Sequence, residues 1–99
     1  MSLAMRIEIS RDAESDIENG YWFYEYNEPG VGDYFRSSIY TDIDSLSLHA
    51  GAHAVVDGFH RKVCKTFPYN VYYEMTGDDS LLIVAVVGQR ENRKPKLSD

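Results

Sequence analysis

The chain has 99 residues, enough for one domain with a single modest core and too few for two. Hydrophobic and aromatic contents of 43% and 13% exclude a disordered tail. The net charge of −6 excludes a generic nucleic-acid binder, which needs clustered Lys and Arg, and no apolar run approaches the roughly 20 residues of a membrane-crossing helix.

In chain order, "MSLA" ahead of Met5 reads as an appended remnant, with Met5 the native start. "MRIEIS" alternates, placing Ile7 and Ile9 on one face of a short strand. Ser10 and Asp12 can cap the helix that follows, and Asp12, Glu14 and Asp16 suit the positive end of its dipole. Ala13, Ile17, Tyr21 and Tyr24 recur at helical spacing until Pro29-Gly30 ends the run. A second helix carries Phe35, Ile39, Ile43 and Leu46 as one stripe, with Arg36, Ser37, Asp42 and Asp44 opposite. The short link between the two predicts an antiparallel helical hairpin.

"HAGAHAVVDG" reads as a loop. Three strand-like runs follow. The first, Phe59–Lys65, alternates Phe59, Arg61, Val63 and Lys65 with His60, Lys62 and Cys64. The second, Tyr69–Met75, sets Tyr69, Val71, Tyr73 and Met75 on one face, with Pro68 at its start, where a missing amide donor is tolerated. "TGDDS" suits a hairpin loop, and "LLIVAVVG" is apolar on both faces, as in a central strand covered on both sides. The domain therefore spans 5–92, with a polar C-terminal tail at 93–99. The predicted class is α+β in the order β-α-α-β-β-β, a helical hairpin packed on one face of a mainly antiparallel four-stranded sheet.

Charge is unevenly spread. Residues 1–57 hold three basic residues against eleven acids, whereas residues 58–99 hold seven against five. Arg61, Lys62, Lys65 and Arg90 lie beside Tyr69, Tyr72 and Tyr73. Cations held on a sheet can stabilise a phosphorane during RNA cleavage, grip an acidic protein, or guard a sheet edge against aggregation. Other candidates carry less. His49 and His53 stand four apart without an HExxH signature and with Gly51 between them, so they read as loop polarity rather than metal ligands. His60 reads as incidental, no glycine pattern forms a phosphate loop, and Cys64 reads as packing. A lone cysteine also fits a reducing cytoplasm, and the N-terminus lacks the layout of a secretory signal. No metal or other cofactor is expected.

The stretch "FPYNVYYEMTGDDSLLIVAVVGQREN" resembles the RelE/ParE superfamily of toxins from type II toxin–antitoxin modules, and most of all its plasmid stabilisation subgroup. Phe67, Pro68, Tyr69, Tyr73, Gln89 and Arg90 are the matching positions, and the resemblance runs over nearly the whole chain. It implies one of two activities. RelE-like members are ribosome-dependent endoribonucleases; ParE-like members inhibit DNA gyrase and are not nucleases. Both are held inactive by a cognate antitoxin. The departures favour the ParE-like activity: Asn70 stands where the nucleases often carry Arg, "RENRKPKLSD" offers no Tyr or His as a base, and the protein is acidic. Gly88 and Glu91-Asn92 depart from the subgroup's usual His and Arg-Asp, which leaves a non-toxic member as a further alternative. The implied target-binding residues are Arg61, Lys62, Lys65, Tyr69 and Arg90, with Arg61, Lys65 and Arg90 catalytic only in the ribonuclease alternative. The implied partners are the antitoxin and DNA gyrase, or the ribosome in that alternative, with no membrane and no sequence-specific DNA binding by this chain alone.

Overall fold

The computed structural model describes residues 5–91 and 93–95, so the remnant expected at 1–4 and most of the expected tail lie outside the described residues. Strand β1 (Arg6–Ile9) leads into helices α1 (Arg11–Asn27), α2 (Val31–Asp44) and the one-turn α3 (Leu46–His49). Strands β2 (Val55–Val56), β3 (Phe59–Val63), β4 (Tyr69–Gly77) and β5 (Ser80–Gly88) complete one sheet in the spatial order β1-β5-β4-β3-β2. β1 runs parallel to β5, and every other neighbouring pair is antiparallel. The sheet has five strands where four were expected. The added strand is the pair Val55–Val56, inside the stretch read as a loop. Two residues are too few to show a period, and only pairing with Phe59 and His60 reveals them as a strand.

Local chemistry explains the helical hairpin. Ser10 caps α1, its Oγ accepting the Ala13 N–H at 3.0 Å. At the other end, the Glu25 carboxylate accepts the N–H groups of Gly30 and Gly32, each at 3.0 Å, and so satisfies donors that open α2. α1 turns Ala13, Ile17 and Tyr24 inward, and α2 turns Phe35, Ile39 and Ile43. These pack on Val71, Tyr73, Leu81, Ile83 and Val86 from the sheet, as the helical spacing predicted except at Tyr21, which lies outside the core with its ring against the Arg36 guanidinium. A second cluster on the helix-free face holds Phe59, Tyr72, Val84, Ala85 and Val87, so β5 is buried from both sides, as its unbroken apolar run indicated.

Two irregularities on β5 shape what lies nearby. Tyr72 faces Ala85 while Tyr73 faces Ile83, leaving Val84 as the extra residue of a bulge. The bulge turns Val84 and Ala85 into the same cluster. β1, only four residues long, accompanies β5 as far as Ile83. Past that point side chains close the β5 edge. Ser10 Oγ donates to the Val84 carbonyl at 3.3 Å, and Asp16 accepts the Val86 N–H at 2.9 Å. Arg93 donates to the Val86 carbonyl at 3.2 Å, and Glu91 accepts the Gly88 N–H at 2.7 Å. An edge that would otherwise template intermolecular pairing is thereby occupied. Arg93 also donates to Asp16 at 2.8 Å, so the start of the expected tail is tied to α1, and Pro95 is buried.

Candidate functional site

The expected binding residues divide among three places. Arg61 lies on the helix-free face, since it pairs with Tyr72 across β3 and β4. There it borders a hollow of about 290 Å³ together with Arg93 and Lys94 and the acids Asp57 and Glu91. Lys62, one residue on, points to the helix side. It is buried, with Nζ 3.9 Å from the carboxylate of the equally buried Asp42 on α2. Its charge is used inside the protein and is not offered to a partner. Lys65 is exposed just beyond β3, its backbone N–H donating to Asp42 at 3.3 Å, beside a hollow shared with Tyr34 and Thr66.

Tyr69 and Arg90 do come together. Tyr69 enters β4 on the helix side and packs against Phe35 and Tyr24, with ring centroids 4.9 and 6.3 Å away. With Phe23, Pro68, Gln89 and the exposed Arg90 it lines a groove of about 250 Å³. A neighbouring hollow of about 510 Å³ shares Tyr69, Phe23 and Glu91 and reaches Asp16 and Arg93. Burial, with smaller contributions from Tyr24, Glu91 and Asp16, pushes the Tyr69 hydroxyl up to about 12, so it stays protonated at neutral pH. Arg93 and Lys94 complete the cationic face around Arg61 and were not singled out from the sequence. Their only sequence signal was charge in a polar tail; their placement depends on Asp16 and Asp57, far away along the chain.

The histidines sit elsewhere. Tyr73 Oη accepts the Gly51 N–H at 2.9 Å and lies 2.6 Å from His53 Nδ1. The His60 ring stacks on Tyr73 with centroids 5.0 Å apart. This cluster belongs to the helix side of β3 and β4, away from Arg61. Burial first, then Lys62, His60 and His49, hold the His53 pKa below its usual 6.5. A lowered folded-state value means that the unfolded chain binds the proton more readily. The associated stability is therefore present above about pH 6.5 and is lost as pH falls through the folded value. Thermal melts between pH 7.5 and 5.5 are expected to show a falling Tm, with a shallower slope in His53→Gln; an unchanged slope would remove His53 as the cause. Cys64 is buried, and burial followed by Asp42 pushes its thiol up to about 12, which makes it unreactive. Among the described residues, no group of three His, Cys, Asp or Glu side chains could hold a metal ion, and no helix is long and apolar enough to cross a membrane.

A family model described as "ParE toxin of type II toxin-antitoxin system, parDE" matches residues 7–93. The chain belongs to the ParE toxin family. That match runs from the second residue of β1 through every later strand and helix of this ParE-like fold to Arg93, which contacts Asp16. Among solved structures, a chain from "Chromosomal ParDE TA system from P. aeruginosa" aligns with a TM-score of 0.76 at 17% identity, covering 88% of this chain and 98% of that one. At that identity the likeness shows a shared fold. No curated protein sequence matches the chain.

Proposed function

We propose that this ParE-family toxin inhibits DNA gyrase by protein–protein binding and is neutralised by a cognate antitoxin. One observation carries the choice over RNA cleavage: among the described residues, the candidate bases beside the accessible cations are engaged or protonated, Asp57 in the Arg61 hollow being paired with Lys94 at 4.0 Å. Tyr69, next to Arg90, is held protonated by burial. Glu91 is engaged by the Gly88 N–H and, at 3.5 Å, by Arg93. His53 and His60 are tied to Tyr73 on the helix side. General base catalysis needs a proton acceptor within hydrogen-bond reach of the reacting hydroxyl, and cations alone supply only half of that chemistry. The same cations suit recognition. Arg61 with Arg93 and Lys94 forms one cationic surface, and Tyr69 with Arg90 forms a second contact point. An acidic amphipathic segment is the antitoxin chemistry that would cover the first of these surfaces.

The test is a gyrase supercoiling and cleavage assay with purified, antitoxin-free protein. Inhibition is expected, and Arg61→Ala and Arg90→Ala should each weaken it by about tenfold, the effect of losing one substantial interface contact. No inhibition at large excess would sink the gyrase reading. Codon-linked mRNA cuts on induction, abolished by Arg90→Ala, would establish the ribonuclease alternative instead. Normal growth on overexpression without antitoxin would mark a non-toxic member.

A further inference from the structure

α1 carries aromatic side chains that the core does not use. Trp22, Phe23 and Tyr26 are 48%, 60% and 85% exposed. Their spacing puts them next to one another on the helix surface, since positions one turn apart are neighbours. The rings of Trp22 and Tyr26 lie 5.8 Å apart, and Tyr21 meets Trp22 edge-on at 4.9 Å. Tyr21 is itself held by the Arg36 guanidinium, 4.0 Å from its ring centre. The patch is therefore braced from α2, while α1 fills the core with Ala13, Ile17 and Tyr24. At about 200 Å² per aromatic side chain, these exposures leave roughly 400 Å² of aromatic surface in water. Patches of that size on a soluble domain mark interaction sites.

The surroundings select the partner. The N-terminal half has a nearly fourfold excess of acids. Exposed Glu14 and Glu18 precede Trp22 by two turns and one turn of α1, and exposed Glu28 follows Tyr26. Of the two cations near the patch, Arg36 is already paired with Glu18 at 3.1 Å and Asp33 at 3.8 Å, and Arg90 shares a groove with Phe23 alone of the three exposed rings, beside Glu91. A second copy of this chain would bring like charges together, and an anionic membrane would be repelled. We propose that the outer face of α1 docks a basic amphipathic helix of a protein partner. The helix lays its apolar side on Trp22, Phe23 and Tyr26, while its Lys and Arg side chains reach the Glu14 and Glu28 carboxylates and the Trp22 ring face. This surface is separated from Arg61 by the helix layer and the sheet, and its partner has the opposite charge to one that would suit the cationic face. It does not depend on gyrase being the target.

Trp22 is the chain's only tryptophan, so its emission reports on this patch alone. The probe is a Leu/Lys peptide of about 18 residues with helical periodicity and no Trp, long enough to be helical. It is compared with a peptide of the same composition in scrambled order and with a Leu/Glu counterpart. Saturable blue-shifted emission is expected with the periodic basic peptide, at least tenfold tighter than with either control. The double change Phe23→Ser and Tyr26→Ser, and separately Glu14→Lys with Glu28→Lys, should each weaken binding about tenfold with unchanged circular dichroism. Arg61→Ala should leave it unaltered. Equal binding of the scrambled peptide, or no spectral change, overturns the proposal. So does a blue shift that appears with protein concentration alone, which would assign the patch to a second copy. A shift on phosphatidylcholine vesicles exceeding that with the peptide would assign it to lipid and overturn the proposal as well.

Discussion

Asp42→Ala is expected to destabilise the protein by about 3 kcal/mol, among the largest losses available to a single substitution. The Asp42 and Lys62 side chains are 5% and 10% exposed, so removing the carboxylate strands an ammonium that water cannot reach. The same carboxylate accepts the Lys65 N–H at 3.3 Å, so the end of β3 loses its tie to α2 as well. Lys62→Met behaves differently, because the methylene stem can be replaced by apolar packing and Asp42 keeps the Lys65 N–H as a donor. It is expected to cost about 1 kcal/mol, and the double variant should lose at least about 1 kcal/mol less than the two single losses combined. Urea denaturation of the four proteins measures this. Strict additivity would mean that the pair, at 3.9 Å, carries no coupling.

Phe35→Ala should be comparably damaging, at about 3–5 kcal/mol. The ring is fully buried where the hairpin meets the sheet, with Phe67, Tyr69 and Tyr24 within 5.2, 4.9 and 5.2 Å of its centre. It also explains Gly20. A Cβ added there would stand 2.4 Å from the tip of the Phe35 ring, so α1 approaches α2 this closely only because position 20 has no side chain. Gly20→Ala is accordingly expected to cost about 1–3 kcal/mol despite better helix propensity. Phe35→Leu, a shorter side chain, should offset part of that loss in the double variant. Chemical denaturation again decides it: a Gly20→Ala variant as stable as the parent would mean that the ring moves aside freely. Neither residue faces the Arg61 hollow, so its lining would be untouched in the fraction that remains folded.

Much of this architecture was legible in the chain. The 3.6-residue spacing of Ala13, Ile17, Tyr21 and Tyr24 and of Phe35, Ile39 and Ile43 specified two helices and their buried sides, Tyr21 alone of these lying outside the core. Ser10 marked the start of the first. The two-sided apolar run at 81–88 specified a central strand, and alternation in 59–63 and 69–75 specified strands with Arg61 and Lys62 on opposite faces. Fold family was legible too: the resemblance carried by "FPYNVYYEM" and "VVGQR" pointed to the superfamily of the model that matches residues 7–93. Local periodicity reports which residues share a face, since each backbone geometry repeats its side-chain direction at a constant interval.

What the chain could not announce is which face the helices cover and what waits on the other side. Lys62 became an internal charge because α2 brings Asp42 over that face, twenty residues away in sequence. Arg93 joined the cationic surface because the β5 edge beyond Ile83 needed donors and Asp16 supplied a carboxylate from the far end of the chain. Val55 and Val56 became a strand only by pairing with β3, and the bulge at Val84 exists only in the register of β4 against β5. Each of these depends on pairing or ion contact between segments whose separation along the chain carries no periodic signal. Sequence determined the two long helices, four of the five strands, most of their inward sides and the family; tertiary packing alone decided which cations remain at the surface, because burial and partner choice belong to the assembled layers.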